Sequence, residues 1–371
     1  MELINATRMS AGYAQATRPD GRDLLVVVVK GTFTIPDVGE SPALADPQLP
    51  LAEADIFTGE PGFSAPLYES DFAPFKPRCD VMLNGSAYAT QDRPVRKVGV
   101  GIRVGKVTKA FDVVGDRVWE GGLSGIRPGA SKPFRQQRIS YDFAFGGTDR
   151  SSDDERKHNA YIPNPFGTGY RARETAAAIV GTPVPTTEET TNPIRSPFGS
   201  YRPMSFGPIA RGWPLRAKHA GTYDQAWLDE VFPFLPHDFD DRYFQCAPGD
   251  QQTDYLRGGE EVRLINLTPR EVTSFCLPTV QLPVVFFRQD GGEEHRTPVA
   301  DTLYVEPDDR RFIMVWRTHL VLRRNMFEVV RVTAGRMSSG WWRARKRGKP
   351  YYRSLAEAAR GRADTELGSP L

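Results

Sequence analysis

Residues 97–104, KVGVGIRV, alternate without interruption: Val98, Val100, Ile102 and Val104 fall on one face, Lys97, Gly99, Gly101 and Arg103 on the other. A two-residue period is that of a strand with one buried face. A turn at Gly105 and a second strand through Phe111 and Val113 complete a hairpin, and Gly115-Asp116 turns the chain again. The run DLLVVVVKGTFTIP at 23–36 differs, because apolar residues follow one another without alternation. It reads as a strand buried on both faces and stopped by Pro36. In RRFIMVWRTHLVL, Phe312, Met314 and Trp316 interleave with Ile313 and Val315, which again predicts a fully buried strand.

Strand patterns also occupy EEVRLINLTP, LPVVFFRQDGG and DTLYVEP, whereas residues 149–203 hold few regular apolar positions. With 34 glycines and 31 prolines spread along 371 residues, the expected fold is mainly β. It comprises two sandwich-like or barrel-like halves, separate or sharing one core. A β-rich half spans 1–148, a loop-rich connector 149–205, a second β-rich half 206–340, and a basic, aromatic segment 341–371. Helices are few. Thr222 and Gln225 form a capping-box pattern ahead of Trp227/Val231 and Leu228/Phe232, pairs spaced to stack on an inward-facing side and closed by Pro233. Ser354 and Glu357 repeat that cap in SLAEAAR.

The formal net charge of +2 argues against a chain that binds nucleic acid over its whole surface. Cys79, Cys246 and Cys276 form no CxxC pair, which points to a reducing compartment. The opening MELINATRMSAGYAQ lacks the basic start and apolar stretch of a secretory leader, and no apolar run approaches bilayer length. The expectation is a soluble, cytoplasmic protein.

Candidate chemistry is sparse. The glycines of GVGIRVG miss the GxGxxG spacing and lie inside a strand pattern, so no nucleotide cofactor is expected. GxSxG is absent, and GLSGI at 122–126 opens no helix. His237, Asp238, Asp240 and Asp241, with His219 nearby, are the residues a metal-dependent enzyme would use. Their spacing matches no HExxH or EF-hand, and Asp beside proline also makes turns and caps. Cys246 could pair with His237, although a lone cysteine among aromatics is commonly a small core residue. The late run WWRARKRGKPYYR places Arg343, Arg345, Lys346, Arg347, Lys349 and Arg353 among Trp341, Trp342, Tyr351 and Tyr352. That composition suits stacking of single-stranded nucleic acid, a positive patch for an acidic protein, or a solvated segment tied down by its aromatics.

Several stretches, taken in order, resemble a bacterial family known as domain of unknown function 2169. They are FAPFKPRCDVMLNGSAY (72–88), VGDRVW, YDFAFGGTD, NPFGTGY, WPLRAKHAGTYDQAW, FPFLPHDFDDRYFQCAPGDQQ, LRGGEEVRLINLTP and DTLYVEPDDRRFIMVWR, covering about residues 23–335. The first looks like FAPxKPxTDVxLxGxA, with Cys79 where the family usually carries threonine. The resemblance implies a cytoplasmic adaptor or chaperone of type VI secretion, without enzymatic activity, metal or cofactor. It would bind a toxic effector and help load it onto the VgrG spike or its PAAR tip, burying roughly 800 Å² per partner or adding a strand at an open edge. Under this reading Trp213, Gly221, Thr222, Tyr223, Asp224, Trp227, Asp238 and Asp240 are structural landmarks, with Trp213 and Trp227 as core anchors. Trp341, Trp342, Arg343, Arg345, Lys346, Arg347 and Lys349, together with loop 149–203, are candidate contact surfaces.

Overall fold

The computed structural model describes residues 1–123, 125–172 and 175–352. The longer strands, in chain order, are β1 (Glu2–Asn5), β2 (Ser10–Thr17), β3 (Asp23–Thr34), β4 (Cys79–Leu83), β5 (Lys97–Val104), β6 (Val107–Val114) and the short β7 (Thr187–Glu188). They continue as β8 (Gln252–Thr253), β9 (Glu261–Ile265), β10 (Val272–Cys276), β11 (Val284–Arg288), β12 (Glu293–Arg296), β13 (Val299–Glu306), β14 (Arg311–Val321) and β15 (Val329–Ala334). Short two-stranded pairs fill the connections. Four short helices complete the described chain: α1 (Ala176–Ile179), α2 (Pro214–Ala217), α3 (Gln225–Glu230) and α4 (Ser339–Lys346).

The fold is mainly β. A six-stranded sheet runs β8-β4-β13-β14-β3-β2, a five-stranded sheet β7-β6-β5-β9-β10, and a four-stranded sheet β1-β15-β11-β12. Within these three sheets pairing is antiparallel except at β4/β13 and β1/β15. Each sheet takes strands from before residue 149 and from after residue 205, and among the described residues none closes into a barrel. The halves therefore share their sheets. The connector 149–205 contributes β7 to the edge beside β6, and builds a small core in which Ile179, Val184 and Ile194 pack with Trp119 and Phe145.

The apolar run of β3 follows directly from this layering. Leu25, Val27 and Val29 enter the main core between sheets, where Val100, Ile102, Val262, Leu264, Phe286, Phe312 and Met314 also lie. Leu24, Val26 and Val28 project to the opposite face, beside Met82, Tyr304, Ile313 and Val315, under a cover of Leu49, Leu51, Tyr68 and Phe72. With both faces covered there is no polar side for alternation to mark. In β5 the period survives because one face meets the main core and the other carries Lys97 and Arg103 toward solvent. Val104 pairs with Val107 across the two-residue turn, and Gly105 takes the positive φ of 53° that the reversal requires. At Gly115 a side chain is excluded sterically: a Cβ there would lie 1.9 Å from the Lys132 carbonyl oxygen.

Phe312 stacks on Phe33 at 5.3 Å and on Phe275 at 5.1 Å, linking β14 to strands of two sheets. Truncation of Phe312 to Ala is expected to lower the unfolding free energy by about 3–5 kcal/mol. Urea unfolding followed by fluorescence checks this, with Val38→Ala, at a highly exposed position, as the neutral control.

Candidate partner-docking site

The outer face of the six-stranded sheet buries ionic groups. Lys76, from the FAPFKPRCD stretch, donates to Asp80 Oδ2 at 2.8 Å and to Thr302 Oγ1 at 3.1 Å, and lies 3.9 Å from Glu69. Asp80 is completely buried on β4. Its carboxylate also accepts from the backbone N–H of Cys246 (2.9 Å) and Ala247 (3.2 Å) and from Gln245 Nε2 (2.6 Å). Burial works against the Lys76 ammonium, but Asp80, Cys246 and Glu69 around it outweigh burial and raise its pKa. Cys246 sits against Asp80 and Met82, and burial pushes its thiol well above its usual range. His237 is exposed, so the two residues do not form a nucleophile–base pair. Cys79, at the position where threonine is usual in the resembling family, is likewise fully buried.

The same ionic cluster fixes the root of the stretch containing Gly-Thr-Tyr-Asp. Arg216 of α2 is buried and donates to Glu69, to the Tyr243 carbonyl (2.8 Å) and to the Ile209 carbonyl (2.9 Å). Trp213, 1% exposed, meets Tyr141 edge-on at 5.4 Å and Phe166 at 5.7 Å. Beyond α2 the chain forms a surface lobe, residues 218–242, whose Phe234 ring lies against Gly21 of the β2–β3 turn. Its neck is closed by the Asp240 N–H donating to the His219 carbonyl at 3.0 Å. Thr222 donates from its backbone N–H and hydroxyl to the Asp238 carboxylate at 2.9 and 2.7 Å. Gly221 has a φ of 85°, and a Cβ there would meet Pro236 at 2.8 Å and Asp238 at 2.9 Å, so glycine is required twice over.

Several expectations are corrected here. The N-cap of α3 is Asp224, which accepts from the Trp227 N–H at 2.9 Å; Thr222 is occupied by Asp238 instead. Of the side chains expected to point inward, Leu228 and Phe232 are 52% and 62% exposed and Trp227 and Val231 only half-buried, and the flanking Tyr223 and Phe234 are 53% and 46% exposed. Trp227 is a partly exposed centre for this group rather than a core anchor. It packs against Tyr223 at 4.8 Å and Phe232 at 5.6 Å, and its indole N–H donates to the Phe234 carbonyl at 2.9 Å. At the foot of the lobe, Leu235 and Phe244 join Leu24 and Phe75 around a cleft of about 440 Å³, with Asp241 and His319 on its wall. Burial raises the Asp241 carboxyl and lowers the His319 imidazole, the direction that favours the neutral form of each.

The carboxylates singled out for metal chemistry are placed for local structure. Asp240 caps the turn at Asp241–Phe244 and pairs with Arg242, while Asp238 holds Thr222. Among the described residues no group of three or more His, Cys, Asp or Glu is arranged to hold a metal ion.

The basic segment is anchored by its aromatics. Trp341 of α4 is buried on Phe287, and Trp342 lies on Phe287 and His295. Arg345 stands 3.8 Å over the Phe287 ring and reaches Glu293. Trp341 and Arg345 therefore serve packing, while Arg343, Lys346, Arg347 and Lys349 are exposed. Arg353 and the helix expected at SLAEAAR lie outside the described residues. No helix among the described residues is long and apolar enough to cross a membrane.

This geometry defines a class: a β-rich body whose buried ion network fixes a surface segment of exposed aromatics. The family model described as "uncharacterized protein conserved in bacteria (DUF2169)" matches residues 20–317. The chain belongs to that family. No curated protein and no solved structure matches it.

Two outcomes follow. Lys76→Met leaves Asp80 as an uncompensated buried charge and is expected to cost about 3–5 kcal/mol in chemical denaturation. Asp238→Ala removes both acceptors of Thr222 and is expected to loosen the lobe alone. Limited proteolysis within 218–242 accelerates while the melting temperature of the body stays close to that of the parent.

Proposed function

We propose that this protein is a non-enzymatic adaptor or chaperone of type VI secretion, which holds an effector and helps load it onto the VgrG/PAAR spike. The observation that supports this reading is the aromatic lobe. Large apolar side chains clustered on the surface of a folded protein mark a place where another molecule docks. Here the cluster lies on a surface segment that is fixed at its root by buried ion pairs, so it is presented without a large ordering cost on binding. The landmark stretches of the family resemblance carry much of this arrangement. Lys76 and Asp80, Trp213 and Arg216, and Gln245 and Cys246 lie in the buried seam beneath the lobe. Residues in that seam act by holding a surface in place, which is the work of an adaptor. Loading onto a spike requires release as well as capture, which suits a surface of moderate size.

The test is capture from the native cell. A tagged full-length chain, purified under mild conditions, is expected to bring down a secreted toxin together with a VgrG or PAAR protein, identified by mass spectrometry. Deleting the gene is expected to remove that toxin from the secreted fraction while leaving its synthesis unchanged. Wild-type secretion in the deletion strain, with neither partner retained on the tagged chain, overturns the reading.

A further inference from the structure

The lobe has a second property besides its exposed aromatics. Residues 218–242 contain six carboxylates, Asp224, Asp229, Glu230, Asp238, Asp240 and Asp241, against two cationic side chains, Lys218 and Arg242, one at each end. Asp240 is paired with Arg242, and Arg18 and Asp20 line the cleft that Asp241 faces. Asp224, Asp229, Glu230 and Asp238 are exposed, and among the described residues none has a Lys or Arg within ion-pair distance. The apolar centre is thus edged by negative charge, in a chain whose overall formal charge is +2.

We propose that this lobe is the docking site for a basic amphipathic helix of the partner protein. The helix would lay apolar side chains at i, i+3/i+4 and i+7 on Tyr223, Leu228, Phe232 and Phe234, and Lys or Arg against the surrounding carboxylates. This deepens the adaptor reading and rests on it. Size argues for a helix over a larger partner face. Four aromatic or aliphatic side chains, each about half exposed, offer roughly 400 Å² of contact. That is about half of what each side of a standard protein interface buries, and it suits a few helical turns. It is too small to hold a second copy of this chain by itself. Charge argues for a basic occupant, since opposite potentials speed encounter and reject acidic competitors. The cleft at the lobe's foot, with Leu24, Phe75, Leu235 and Phe244, can take one further anchor.

The probe is a fluorescein-labelled helical peptide of about 18 residues, built of leucine and lysine with one apolar face, beside its leucine–glutamate counterpart. Binding to the full-length chain is followed by anisotropy at about 50 and about 300 mM salt. The lysine peptide is expected to bind at least about tenfold more tightly than the glutamate peptide, with affinity falling as salt rises. Phe232→Ser and Leu228→Ser are each expected to weaken it about tenfold, at unchanged melting temperature. Phe198→Ser, exposed elsewhere on the surface, leaves it unaltered. The combined Asp229→Asn and Glu230→Gln change weakens binding and flattens its salt dependence. Equal binding of both peptides, undiminished binding by Phe232→Ser, or a dimer in sedimentation equilibrium that Phe232→Ser dissociates each overturns the proposal. A Phe232→Ser chain that still captures toxin and spike protein in full sinks this docking site and leaves the adaptor reading standing. Lysine-peptide binding lost with Phe232→Ser, without any captured toxin, does the reverse.

Discussion

A charge moved out of water must be paired and hydrogen-bonded, or its burial unfolds the chain. The outer face of the six-stranded sheet lives under that condition. Asp80 on β4 can be fully buried only because Lys76 comes within 2.8 Å and the backbone of Cys246 and Ala247, with Gln245, supplies the remaining donors. Those donors come from a segment some 165 residues away in sequence. Satisfying one carboxylate therefore brings the stretch after the lobe onto the sheet. Glu69 does the same for the stretch before it, through Arg216. The lobe between these attachments has both ends fixed by electrostatics, while Leu235 and Phe234 rest on Leu24 and Gly21 and the side chains of Tyr223, Leu228 and Phe232 stay open.

Such a design separates stability from recognition. The residues that hold the lobe are buried and mutually satisfied, so their substitution disturbs the fold first. The residues that a partner would touch are exposed and contribute little to folding. At its other end the chain uses the same logic with aromatic anchors. Trp341 and Arg345 clamp α4 onto Phe287, which leaves Arg343, Lys346, Arg347 and Lys349 in solvent. In both places a mixed aromatic and charged sequence divides its labour between anchoring and display.

How much could be read from the letters alone depended on whether a side chain's environment is periodic. Val98, Val100, Ile102 and Val104 announce a half-buried strand, and the uninterrupted apolar runs of β3 and β14 announce burial on both faces. The helix at Gln225–Glu230 turns Leu228 outward, against the inward orientation its spacing predicts. Spacing of four along Leu228 and Phe232 states that two side chains share a face; it does not state what covers that face. Thr222 looked like the cap because its spacing to Gln225 fits, but Asp238, sixteen residues on, binds Thr222 and Asp224 takes the cap. Nothing in composition marks Lys76 and Asp80 as a buried pair, since exposed lysines and aspartates look the same in sequence.

By itself, then, the sequence determined the mainly β character, the positions of the central strands and the turns that demand glycine. These depend on local sterics and on apolar periods of two or of none. Only the tertiary structure decided that strands from both sides of the connector share each large sheet. It alone decided that Glu69, Lys76, Asp80 and Arg216 meet in one buried network, and that the aromatics of 223–234 face solvent. Each of those outcomes joins residues far apart in the chain, and an electrostatic or packing contact across such a distance leaves no periodic trace between them.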